Sequence, residues 1–231
     1  MQLQTNDWHE GILESTKVSD FVNKLPEMLT DYLKDYQDCF NRKEQAANGN
    51  IYVKGLLSNL DRKSAEPIAL EYSDNPKAPR NLQFFMKNAM WDDKKAWEIY
   101  QKNMSALLSE DNGMLTFDGS DFVKKGKSSV GVARQHCGAV GKTENCQAGV
   151  FAGYAGSKGY GLVDSKLFMP SKWFDDEHSV LRRDCNVPED LKFKTKLQIT
   201  LDMLNKIDES GLFKCKWIGV DSFFGNSKDF L

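Results

Sequence analysis

Two short apolar runs in this chain end in an aspartate: Leu115-Thr116-Phe117-Asp118 and Trp217-Ile218-Gly219-Val220-Asp221. One acid at the end of a strand is most often a turn former or a helix cap. A pair gains chemical meaning when the two strands are parallel neighbours. Strands so placed lie roughly 4.8 Å apart and end at the same sheet edge, so both carboxylates project together. Hard oxygen donors at that spacing suit divalent cations, and two cations roughly 3.5–4 Å apart form the layout used for in-line displacement at phosphorus. Asp121 is a third acid close by. Asp118 is preferred to it because Asp118 closes the apolar run, whereas Asp121 reads as part of the following turn. Soft-metal and disulfide chemistry is disfavoured. The five cysteines are scattered without a C-x-x-C pair, and the three histidines stand far apart.

The elements that would position these acids change character near Gly113. Upstream, apolar residues recur at helical spacing. Phe21, Leu25, Leu29, Tyr32, Leu33, Tyr36 and Phe40 draw one face, with Ser19 or Asp20 as a cap and Asn48-Gly49-Asn50 as a break. Further helices are expected over residues 51–60, 64–72, 81–89 and 92–109, giving an all-helical domain over residues 1–112. Downstream the period becomes two. Strands are expected over residues 114–118, 129–136, 146–154 and 161–168, with turns at 124–127 and 138–143. Residues 195–210 read as a helix whose apolar face is Ile199, Met203, Leu204 and Ile207, ended by Gly211. Residues 217–220 form the last strand. A meander followed by a crossover helix returns that strand parallel to the first and beside it. The expectation is an α/β fold over residues 113–231, an incomplete ribonuclease-H-like mixed sheet preceded by the helical domain.

Composition bounds the rest. The 231 residues carry a net charge of −2, with 40% hydrophobic and 11% aromatic residues. That is enough apolar matter for a sizeable core and argues against global disorder. The sequence pI of about 6.0 is not that of a protein coating nucleic acid, although a local basic stripe can still hold DNA. No signal peptide and no apolar run near 20 residues is evident, so a cytoplasmic setting is expected.

The stretch FDGSDFVKKGKSSVGVARQHCG at 117–138 resembles the signature of a DDE superfamily endonuclease group found in bacterial insertion sequences. GKTENCQAGV at 141–150, DLKFKTK at 190–196, DSFFG at 221–225, GLLS at 55–58 and RKSAEPIA at 62–69 are similar to the same family, so the resemblance covers most of the chain. It implies a transposase that cuts DNA at an element's ends and transfers the freed 3′-hydroxyl to target DNA. Asp118 and Asp221 would be the first two catalytic carboxylates, holding two Mg²⁺ (or Mn²⁺) ions. It also implies a catalytic glutamate well beyond the second aspartate. Here no glutamate follows Asp221 before Leu231, so the expectation is a fragment that lacks this residue and is inactive alone.

Double-stranded DNA is the expected partner, and the helical domain would bind DNA or pair two copies as a homodimer. Lys124, Lys125 and Lys127 fit either a contact to the phosphate backbone or a solvated turn. Arg134 fits a DNA contact or an exposed sheet position, and Arg62 and Lys63 fit phosphate contacts or surface helix charge. Trp173, Phe174, Trp217, Phe223 and Phe224 read as core, and Cys137 and Cys146 as buried thiols. Two alternatives stand beside the transposase: a non-catalytic DNA-binding remnant or inhibitor of transposition, and a small ribonuclease-H-type nuclease. The latter would need a third acid among Asp164, Asp175 and Asp176.

Overall fold

The computed structural model describes residues 15–225, without the side chains of residues 15–19, 21 and 223. The place of Phe21 on a helix face and the core assignment of Phe223 therefore lie outside what is described, whereas Ser19 and Asp20 fall inside a helix that already runs from Ser15, so neither caps it. The chain divides into two compact units, Met1–Ile99 and Tyr100–Leu231.

The first unit contains α1 (Ser15–Lys34), α2 (Lys43–Leu57), α3 (Ala65–Tyr72), α4 (Ala78–Asn88) and the start of α5 (Asp93–Leu108). Ile68 and Ala69 of α3 and Ala78 and Leu82 of α4 form its core, with Ile51 and Tyr52 of α2 and Phe85 of α4 packed around them. Gly55 lets α2 approach α3 closely, since a Cβ there would sit 2.3 Å from Ile68 Cγ2. Two expectations fail here. The first helix stops at Lys34, and Phe40 instead forms an isolated bridge with Trp91. Asn48-Gly49-Asn50 does not break the chain but lies inside α2, because the Phe40 ring packs where a Gly49 side chain would stand, 2.9 Å from that Cβ position. Tertiary packing overrides the weak helix propensity of the three residues.

The second unit is built on a mixed sheet of β1 (Met114–Val123), β2 (Ala133–Cys137), β3 (Lys142–Gly156), β4 (Gly159–Phe168) and β5 (Trp217–Val220). Long β3 pairs antiparallel with β1 along one side. On its other side it pairs with β2 near its start and β4 over the remainder. Strand β5 pairs parallel to β1, as the crossover argument requires. The short helix α6 (Ser179–Asp184) precedes the crossover helix α7 (Lys196–Ser210), and α8 (Ser222–Gly225) follows β5. Helix α7 has firm local causes. Thr195 and Gln198 form a reciprocal capping box, and Gly211 closes the helix at φ 62°. Its Ile199, Met203 and Ile207 bury against Leu115, Phe117, Val150, Ala152, Tyr154 and Val163.

The composition change at Gly113 is not where the units divide. The C-terminal half of α5 belongs with the sheet, where its Met104 and Leu108 pack against the core cluster. Tyr100 Oη donates to Leu162 O (2.6 Å) and Gln101 Nε2 to Val163 O (2.8 Å).

The segment leading into β5 is tied down by Tyr154 and by side chains that follow α5, Ser109 Oγ among them, which accepts from Lys214 N–H (3.0 Å). The Tyr154 hydroxyl accepts from Glu110 N–H (2.9 Å) and donates to Lys214 O (2.7 Å). Gly113 O accepts from Lys216 N–H (2.8 Å) and Trp217 N–H (3.3 Å). Gly113 has to be glycine, because a Cβ would lie 1.9 Å from the Tyr154 oxygen. Replacing Tyr154→Phe leaves the half-buried Glu110 N–H and the Lys214 carbonyl without this partner, so urea unfolding should show a loss of about 1–3 kcal/mol. An unchanged midpoint would show that this hydroxyl does not anchor the approach to β5.

Candidate metal centre

Asp118 does not end its strand. Strand β1 runs on to Val123, because pairing with β3 continues unbroken from Met114↔Ala155 to Val123↔Cys146. Leu115 and Phe117 are buried under α7, so alternation puts Asp118 on the opposite face, where it is exposed. Its Oδ1 accepts from Gly119 N–H at 2.7 Å. Asp221 follows β5 directly and opens α8, accepting from Phe224 N–H at 3.2 Å through Oδ1. The β1–β5 register runs from Met114↔Trp217 to Phe117↔Val220, so Asp118 is the next residue of β1 and Asp221 the first residue after β5. Gly219 keeps the neighbouring position low: a Cβ there would stand 3.3 Å from Thr116 Cγ2, on the face that Asp118 shares.

The remaining acids behave differently. Asp121 lies within β1 rather than in a turn, and it points to the α7 face. Its side chain is only 11% exposed; Oδ2 accepts from Gly138 N–H (2.7 Å) and Oδ1 stands 3.7 Å from Lys196 Nζ. It thus joins β1, the β2–β3 connection and the first turn of α7. Asp164 is buried on β4, with Lys206 Nζ of α7 at 3.3 Å and Ser165 N–H at 2.8 Å. Asp175 and Asp176 are exposed in the segment between β4 and α6, away from any strand. Buried Asp164 and half-buried Asp121 are thus each matched by a lysine from α7, a pattern with no local signal in the sequence because the partners are remote along the chain. Among the described residues no group of three or more His, Cys, Asp or Glu side chains is placed to hold a metal ion.

The basic residues are dispersed. Lys124 follows Asp118 by six positions of extended chain, which is about 20 Å. The loop carrying Lys124, Lys125 and Lys127 is pinned by Asn145, whose amide donates to Lys124 O (2.6 Å) and Gly126 O (2.9 Å). Lys125 and Lys127 are exposed, as is Arg134 on β2. In the helical unit Arg62 is exposed, while Lys63 Nζ donates to Leu56 O (2.9 Å), capping the C-terminal end of α2. Cys137 and Cys146 are free, fully buried thiols, and Cys146 is pushed up to about 11, first by burial and then by the Cys137 thiol. Trp173 and Phe224 are core, with Trp173 Nε1 donating to Val132 O (2.8 Å). Trp217 is not core: it is 55% exposed at the sheet edge, because its strand has a partner on one side only.

A mixed sheet in which β3 lies beside β1, with β5 returning parallel on the far side of β1, is a ribonuclease-H-like α/β fold. Residues 35–231 match the family model described as DDE superfamily endonuclease, and the chain belongs to that family, whose members use divalent metal ions. It is also 27% identical over 179 residues to a protein of Microchaete diplosiphon described as "Probable transposase for insertion sequence element IS701". The match covers 77% of this chain and 43% of that relative. No helix among the described residues is long and apolar enough to cross a membrane.

The two aspartates of β1 should separate in a stability measurement. Asp121→Ala strands the Gly138 N–H and the Lys196 ammonium, so urea unfolding should show a loss of about 1–3 kcal/mol. Asp118→Asn, at an exposed position, should stay within about 0.5 kcal/mol of the parent. Equal losses would mean that Asp118 has a structural role of its own.

Proposed function

We propose that this protein is a transposase in which Asp118 and Asp221 hold divalent cations for cleavage and transfer of DNA strands. The observation that supports the reading is the parallel β1–β5 register, whose last pair, Phe117↔Val220, immediately precedes the two aspartates. Neighbouring strands are roughly 4.8 Å apart, a separation that two carboxylates span to share or flank a cation. Accepting an N–H bond does not exclude ligation, since a carboxylate carries about four lone-pair sites. Mg²⁺ is commonly held by one or two carboxylates together with water and substrate phosphate, and this donor set fits it. When bound, Mg²⁺ or Mn²⁺ would lower the barrier to attack at phosphorus and neutralise charge on the leaving oxygen. The chain's own residues then have three tasks. Asp118 and Asp221 fix the cations, and the Asp121–Lys196 pair on the other face ties β1 to α7 behind them. Lys124, Lys125, Lys127 and Arg134 contact duplex phosphates away from the cut, with Arg62 and Lys63 serving the helical unit.

Metal and DNA binding should be thermodynamically linked if phosphate oxygens complete the cation's shell, each tightening the other by the same factor. Mn²⁺ bound by the protein, followed by electron paramagnetic resonance, should weaken at least about tenfold in Asp118→Asn and in Asp221→Asn, the scale expected for loss of a metal-site partner. Asp176→Asn should leave it unchanged. Mn²⁺ should also raise the affinity for a duplex, and that gain should vanish in the same two variants. Duplex binding that is indifferent to Mn²⁺ in the parent would contradict the proposal and leave a DNA-binding protein without metal chemistry.

A further inference from the structure

Between β4 and α7 the sheet unit holds a cavity of about 570 Å³, a size ordinary for small-molecule sites. Three pieces of chain line it: β4 with the residue just past it, the segment 188–194, and α7. Met169, Ile199 and Met203 are buried there and give it an apolar bed, to which Leu191 adds from the segment. The segment is held in place along its length. Pro188 O accepts from Leu191 N–H (3.2 Å), and the Phe193 ring meets Phe174 edge-on with centroids 6.0 Å apart. Lys194 pairs with Asp202 of α7, and Thr195 then caps that helix. The cavity is therefore preformed by the fold.

Its charges are unequally matched. Lys206 meets Asp164 (3.3 Å) and Lys194 meets Asp202. Lys166, Lys192 and Asp190 also line the cavity, and their side chains have no hydrogen bond or ion pair among the described residues. Lys166 stands two positions beyond Asp164 on β4 and so shares the face toward α7, whereas Lys192 comes from the segment. Two uncommitted ammonium groups on different walls suit a phosphate monoester, which carries a charge of about −1.5 to −2 at neutral pH. Asp190 is an acceptor left over for a hydroxyl or amino donor. Methionine thioethers on an apolar bed favour an aromatic ring. A single molecule that offers a phosphate, a planar ring and a hydroxyl or amino group satisfies all three.

We propose that this cavity binds a mononucleotide, with its base on Met169, Leu191 and Met203 and its phosphate on Lys166 and Lys192. Asp190 accepts from the ribose or from an exocyclic amine. The cavity is on the α7 side of the sheet, whereas Asp118 is exposed on the other, so the site is separate from the metal centre and independent of the transposase reading. The test is equilibrium dialysis of the whole chain against AMP, GMP, CMP and UMP, with the thermal unfolding midpoint as a second readout. At least one nucleotide should bind saturably and raise the midpoint, because a ligand that binds only the folded chain stabilises it. Lys166→Ala and Lys192→Ala, both at exposed positions, should each weaken that nucleotide about tenfold or more, the scale of a hydrogen bond to a charged group. Binding of the matching nucleoside should stay as in the parent in both variants, while Asp190→Ala should weaken nucleotide and nucleoside alike. Exposed Lys102→Ala on α5 should change neither. The proposal is overturned if none of the four nucleotides binds, or if both lysine variants bind as the parent does. Inorganic phosphate binding as tightly as the nucleotide would leave an anion site only and also overturn it. So would a single-stranded oligonucleotide that binds through Lys166 and Lys192 when no free nucleotide does, since the occupant would then be a DNA strand.

Discussion

The parallel pairing of β5 with β1 is the interaction on which the rest of this unit depends. Nothing local brings residues near 117 and 220 together; a long excursion through the β2–β4 strands and α7 separates them. The pairing is set at its entrance. Gly113 O receives two N–H groups from the β5 lead, and Tyr154 links that lead to the end of α5. Four register pairs then carry the alignment to the positions of Asp118 and Asp221. A one-residue slip would send one of the two aspartates to the opposite face.

The sheet sorts its acids by face. Under α7, Asp121 meets Lys196 and Asp164 meets Lys206, and both carboxylates also accept backbone N–H groups. A buried carboxylate must be matched in this way, since removing its partner leaves an uncompensated charge. On the other face, Asp118 is exposed and has the β5 terminus beside it. The acids that hold the fold together are therefore distinct from the pair assigned to cations, although Asp118 and Asp121 are only three residues apart.

Several of these features could be seen in the sequence because their causes are local. Helix α7 is bracketed by a capping residue and a glycine with left-handed backbone, and β5 is a short apolar run between polar flanks. The parallel return of β5 followed from connection rules alone. The rest depended on remote packing. Gly119, Ser120 and Asp121 have the composition of a turn, yet pairing with β3 holds them extended. Asn48-Gly49-Asn50 reads as a breaker until Phe40 is seen against Gly49. Both Asp–Lys pairs join elements far apart in the chain. The candidate aspartates could be picked out by type and position, but the true length of β1, and hence the distance from Asp118 to the lysine loop, could not.

The most direct measurement is the anomalous scattering of Mn²⁺ soaked into crystals of the protein, phased independently of the metal. The account predicts a peak between Asp118 and Asp221, about 2.0–2.6 Å from carboxylate oxygens of both, as hard-cation coordination requires. A peak at other acids with none at this pair, or electron density placing the two aspartates on opposite faces of the sheet, would contradict it.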